Sequence, residues 1–163
     1  MSSDMKTKQW AEWDARQSPV GFYNLSLSYL DIADDLTERM HKNQLKLAFD
    51  APVRHSYAHA WELALKACLF AQGFRPKELK TKFGHDVHKI WQSVDHNRFS
   101  QLRLTPETEQ IAEHLGGFHL EKSFAYPVAG ATNYLPLSII KAESKRFRLQ
   151  RIEIARLFEL TAG

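Results

Sequence analysis

Apolar residues recur at three- and four-residue spacing in five stretches of this chain, and that pattern predicts an all-α fold. The first stripe is Phe22, Leu25, Tyr29, Ile32, Leu36 and Met40, about 20 residues of helix opened by Ser18-Pro19 as cap and first helical residue. Asp31, Asp34, Asp35 and Glu38 fall largely opposite it, as a solvated face does. The second stripe is the best defined. Val53, Tyr57, Trp61, Ala64, Leu65 and Cys68 share one face of a helix from about Pro52 to Gln72, with Asp50 as its N-cap and Gly73 beyond its end. Its two large aromatics and its alanines predict close packing on both flanks.

Arg75-Pro76 interrupts the pattern, and a short turn over Lys77 to Lys82 leads to Gly84. Val87, Ile90, Trp91 and Val94 mark a third helix of about ten residues. Thr105-Pro106-Glu107 starts a fourth, which carries Ile111, Ala112 and Leu115 and is expected to stop at Gly116-Gly117. Phe118 to Pro136 reads as an irregular loop or hairpin. Its Tyr126-Pro127 and Asn133-Tyr134-Leu135-Pro136 either line a pocket or cover an open end of the domain. A last helix is expected from Leu137 to Leu160, with Ile140, Phe147, Ile154 and Leu157 on one side. Together these give an antiparallel helical bundle of about five helices, preceded by a polar segment over residues 1–17, with residues 18–163 as one domain.

Composition narrows the classes. At 163 residues, 44% hydrophobic and 25% charged, the chain can bury a core of its own. No run approaches the roughly 20 apolar residues that span a bilayer. The N-terminal residues lack the apolar centre of a secretory signal, so a cytoplasmic protein with no membrane partner is expected. A single cysteine, Cys68, excludes an internal disulfide and fits a reducing compartment. Its apolar neighbours make it a buried thiol rather than a nucleophile. The net charge of +3 is compatible with an anionic partner without requiring one.

Two segments, HSYAHAWELALKACLFAQGF and ELKTKFGHDVHKIW, carry a further pattern: Ala60, Glu62, Leu65, Lys66, Ala67 and Gly73, then Gly84, His85 and Asp86. This pattern, over about a quarter of the chain, resembles the core of the HEPN superfamily. The resemblance implies a helical bundle, a homodimer, and association with RNA or nucleotides, often in toxin–antitoxin or phage-defence systems. Catalytic members share an R-x(4–6)-H motif whose Arg and His converge on an RNA phosphate. Arg54 and His59 have that spacing here, ahead of the His-Asp pair rather than after it. The resemblance makes Arg54 the group that stabilises phosphorane charge and His59 the acid or base of a metal-independent ribonuclease. Five residues of helix turn through roughly 140° net, so the two side chains point apart within one chain. They meet only across a second subunit or a distorted first turn. Otherwise Arg54 is a boundary residue and His59 a solvated histidine.

Other constellations stay open. His55, His59 and Glu62 project from one face, with Lys66 a further turn on. They form either a polar surface stripe with a Glu62–Lys66 pair or, with His85 and His88, the ligands of a metal-binding bundle. His85-Asp86 is either an imidazole–carboxylate pair for proton transfer or nucleotide binding, or a helix cap. With His55 and Glu62 it defines a second polar site. Lys141, Lys145, Arg146, Arg148, Arg151 and Arg156, against Glu143 and Glu153, either follow a phosphate backbone or form a solvated face. A non-catalytic dimerisation or protein-interaction module is the alternative to an RNA-associated domain. No cofactor and no metal is assigned.

Overall fold

The second helix, buried on nearly every side, organises the molecule. The computed structural model describes residues 16–47, 49–99, 105–120, 134–149 and Arg156. They are helical, with α1 at Pro19–His41, α2 at Ala51–Ala71, a single turn α3 at Pro76–Glu78, α4 at Val87–Ser93, α5 at Pro106–Leu120 and α6 at Leu137–Ser144. A π-turn, Leu79–Phe83, links α3 to the loop before α4, and a 3-10 turn, Lys145–Leu149, continues α6. No strand occurs among the described residues.

The unbroken buried run from Ala60 to Leu69 makes α2 a central rod rather than a one-sided amphipathic helix. α1 lies along it, and α4, α5 and α6 pack on its other flanks. Trp61, Tyr57, Leu65 and Leu69 are fully buried there, as the aromatic and leucine spacing requires. Cys68 lies among them, and burial pushes its thiol pKa up. Trp61 Nε1 donates to Ser144 Oγ at 2.7 Å while its ring meets Phe147 edge-on. Ser144 Oγ in turn donates to the Ile140 carbonyl at 2.6 Å, and the Tyr23 hydroxyl donates to the Phe147 carbonyl. A buried indole N–H needs such an acceptor, because an unsatisfied one costs about 1–3 kcal/mol.

Local chemistry sets most helix ends. Ser18 Oγ accepts from Gly21 N, and Asp86 Oδ1 accepts from Lys89 N at 3.0 Å, each at an N-cap. Thr105 and Thr108 bond each other at the start of α5. Asp50 occupies the N-cap of α2, but its carboxylate makes no cap bond and serves Arg54 instead.

Several boundaries correct the sequence reading. Gly116-Gly117 does not end α5, which runs on to Leu120. Gly116 is a contact residue: a Cβ there would sit 3.0 Å from His88 N and 3.4 Å from Val87 N. Its missing side chain lets α5 press against the first turn of α4. The simple turn expected over Lys77–Lys82 is α3 plus the π-turn, which keeps Leu79 and Phe83 both in the core. The last helix is regular α only to Ser144 and then tightens, and the rest of its expected span, Arg156 apart, lies outside the described residues. So does most of the expected loop, Tyr126-Pro127 and Asn133 included.

Candidate site around the buried carboxylate of Glu62

Glu62 lies in the middle of α2, with its side chain 3% exposed. Three donors come to it. Lys66, one turn later and itself buried, donates Nζ to Oε1 at 2.6 Å and to the Gly84 carbonyl at 2.6 Å. His85 Nδ1 stands 3.1 Å from Oε1 and 3.1 Å from Oε2. His59 Nδ1 is 3.7 Å from Oε2, an ion-pair rather than a hydrogen-bond separation. The polar surface stripe expected for Glu62 and Lys66 is therefore corrected. The segment from Leu79 to His85 folds across this face of α2, and Gly84 makes the turn with φ 57 and ψ −124, a backbone state that favours glycine.

Burial by itself would raise the Glu62 carboxyl, but His59, Lys66 and His85 together bring its pKa down to about 2. The group is thus an ionised, internally paired carboxylate at neutral pH. A carboxylate only accepts, so His85 must present Nδ1–H to it. In the neutral ring that leaves Nε2 as the basic nitrogen. The His85 side chain is 64% exposed, so the ring held by the buried anion reaches the surface. His59 packs edge-on against Tyr29 at 4.5 Å between ring centres and lies parallel to His55 at 6.2 Å. Burial first, and then the neighbouring His59 charge, holds the pKa of His55 below its ordinary value. Asp86, although next to His85, caps α4.

The structure does not bring Arg54 to this group. Its Nε and Nη2 donate to Asp50 Oδ2 at 3.0 and 2.8 Å, and its Nη1 donates to the Leu135 carbonyl at 2.6 Å. The guanidinium carbon also lies 4.7 Å over the Tyr134 ring. Arg54 is 5% exposed, so the boundary position expected for it becomes a buried clamp on the segment entering α6. Sequence reasoning also missed His114, whose Nε2 accepts from Leu135 N at 3.3 Å on the other side of the same residue. His88 turns to Glu109 of α5 at 3.5 Å and stacks on Trp91, away from Glu62. Among the described residues no three His, Cys, Asp or Glu side chains are arranged to hold a metal ion.

The basic run has partners that linear sequence could not reveal. Arg148 pairs with Asp31 at 2.6 Å and Asp34 at 2.9 Å, and Arg146 pairs with Glu143 at 2.7 Å. Asp34 also accepts from the Tyr57 hydroxyl at 2.7 Å, so the expected solvated acidic face of α1 is in part a docking edge. Lys141 is 3.9 Å from Glu38, Lys145 and Arg156 are exposed, and Arg151 lies outside the described residues. Comparison with protein-family models, with curated proteins and with solved structures gives no match to this chain.

Proposed function

We propose that this chain is a HEPN-like, RNA- or nucleotide-associated helical domain whose working site is the histidine cluster on Glu62. The observation that carries the proposal is the exposed His85 ring held by both oxygens of a buried, ionised carboxylate. Such an arrangement orients an imidazole for acid–base work, which supports the reading.

As a ribonuclease, the site works without metal. His85 Nε2 takes the proton of a ribose 2′-hydroxyl, and the freed oxygen forms a bond to the adjacent phosphorus. The bond from phosphorus to the 5′-oxygen breaks, and that oxygen takes a proton from the His59 ring. The products are a 2′,3′-cyclic phosphate and a 5′-hydroxyl. Arg54 serves as a positioning residue for the α6 entrance. The test is incubation of purified protein with total RNA in EDTA, beside His85→Ala and His59→Ala. Cleavage by wild type alone, with cyclic phosphate ends, supports the reading. Intact RNA with wild type rejects the ribonuclease, and a salt-sensitive gel shift then decides whether binding remains.

A second reading, a homodimeric interaction module, is favoured by Leu25 and Ile32. They lie two turns apart on α1 and are 49% and 51% exposed. Leu25 also borders an apolar cavity of about 410 Å3 with Phe22 and Leu63. Sedimentation equilibrium of wild type and Leu25→Glu/Ile32→Glu measures it. A monomer in both samples removes it.

A further inference from the structure

The basic residues of α6 and its 3-10 extension separate into two kinds. Arg146 and Arg148 are matched by carboxylates, Glu143 for one and Asp31 with Asp34 for the other. Lys141 and Lys145 are four residues apart, hence on one face, and both rim a cavity of about 480 Å3 between the end of α1 and α6. Met40 and Leu137 form part of its apolar wall, and Ser138 is among its lining residues. Among the described lining residues Glu38 is the one carboxylate, and it already holds Lys42 at 2.5 Å. Lys141 lies 3.9 Å from that carboxylate and donates at 3.5 Å to the Asp34 carbonyl, whereas Lys145 has no ion pair among the described residues. His41 adds a third basic group to the rim.

We infer that this cavity binds a small amphiphilic anion, a molecule with one carboxylate, sulfonate or phosphate head on an alkyl or aryl body. The volume falls within the range of small-molecule sites, and the carbon wall with few polar groups is their usual composition. Charge complementarity sets the orientation, with the head between Lys141 and Lys145 and the body against Met40 and Leu137. A polynucleotide fits less well. Two neighbouring lysines match one anionic head, whereas a phosphate backbone calls for a row of cations, and the adjacent Arg146 and Arg148 are already paired with carboxylates. This site is separate from the Glu62 cluster and does not depend on its chemistry.

The test uses the full chain and the fluorescent aryl sulfonate 8-anilinonaphthalene-1-sulfonate as probe. Saturable one-to-one binding is expected, displaced by decanoate but not by inorganic phosphate at equal concentration. Lys141→Glu/Lys145→Glu should weaken the probe at least about tenfold. Ser138→Trp, which fills the cavity, should remove binding, with circular dichroism and thermal midpoint unchanged. Lys145→Ala, a change at an exposed residue without an ion pair, gives a second measure should the double variant fold poorly. It should weaken the probe by a smaller factor. Unaltered affinity in Lys145→Ala and Ser138→Trp overturns the inference. So does displacement by phosphate as effective as by decanoate, or displacement by an RNA oligonucleotide where decanoate fails.

Discussion

Glu62 and His85 meet through both carboxylate oxygens, each 3.1 Å from the same ring nitrogen, although one side chain is buried and the other faces solvent. The contact separates His85 from its neighbour Asp86, whose carboxylate caps α4. Asp86→Ala should therefore cost about 1 kcal/mol of stability, the usual value of an N-cap, and on the proposed ribonuclease reading it should leave cleavage intact. On the proposed ribonuclease reading His85→Ala should do the reverse, lowering cleavage at least about 100-fold, with a modest loss of stability because Lys66 still pairs the buried carboxylate. Urea unfolding and single-turnover cleavage of the two variants check this. Equal loss of activity in both would make the pair structural.

The carboxylate of Glu62 has a pKa of about 2 against an ordinary 4.5, burial being outweighed by His59, Lys66 and His85. A depressed carboxylate gives stability that is present above pH 4.5 and lost as pH falls toward 2. Wild type should therefore lose stability across that interval, and Glu62→Gln should lose much less there. At neutral pH Glu62→Gln should be weaker than wild type by about 3 kcal/mol, because Lys66 would keep a buried charge without its anion. Urea midpoints between pH 7 and pH 2 measure both effects.

Arg54 bridges Asp50 and the Leu135 carbonyl under the Tyr134 ring. Arg54→Ala should cost about 2–3 kcal/mol, below the full value of a broken buried pair because the Asp50 carboxylate keeps partial access to water. Arg54→Lys should recover only part of that loss, since an ammonium does not reproduce the planar fork. If the proposed ribonuclease reading holds, cleavage per folded molecule should stay within about twofold of wild type in both. Loss of turnover in a fully folded Arg54→Lys would restore this residue to the chemistry.

His114 accepts the Leu135 N–H, and burial, then the Arg54 charge, brings its pKa to about 4 from 6.5. A histidine lowered in the folded state gives stability that is present above pH 6.5 and lost as pH falls toward 4. Protonation also turns the acceptor nitrogen into a donor facing another donor. His114→Gln should reduce the slope of stability against pH in this interval. It should not abolish the slope, because His55 and His96 are held low in the same direction. A wild-type slope retained in full by His114→Gln would contradict this assignment.

The helices and their core were legible because 3.6-residue periodicity records burial directly. Tyr57, Trp61, Leu65 and Cys68 stand where the spacing put them, and Ser18 and Asp86 cap as their side chains dictate. Glu62 and Lys66 were not legible from that period, since a helical wheel places polar residues outside and cannot see a distant segment fold over them. The apolar run around them, from Ala60 to Leu69, was the available signal of a helix covered on every side. The partners of Arg148 lie 114 and 117 residues away, beyond any local pattern. Gly116 misled because glycine commonly stops helices, whereas here it admits a neighbouring backbone.

The π-turn at Leu79–Phe83 has a metrical consequence for the site. It carries one residue more per turn than an α-helix would, and it ends beside Gly84, whose carbonyl accepts from Lys66, and His85, whose ring Nδ1–H is held by Glu62. Removing one residue would regularise the turn and swing both groups by about 100° around the helix axis. The irregularity thus acts as a length gauge. It sets the phase at which the chain returns to α2, so the geometry of the imidazole is encoded in the count of residues before it as much as in their identities.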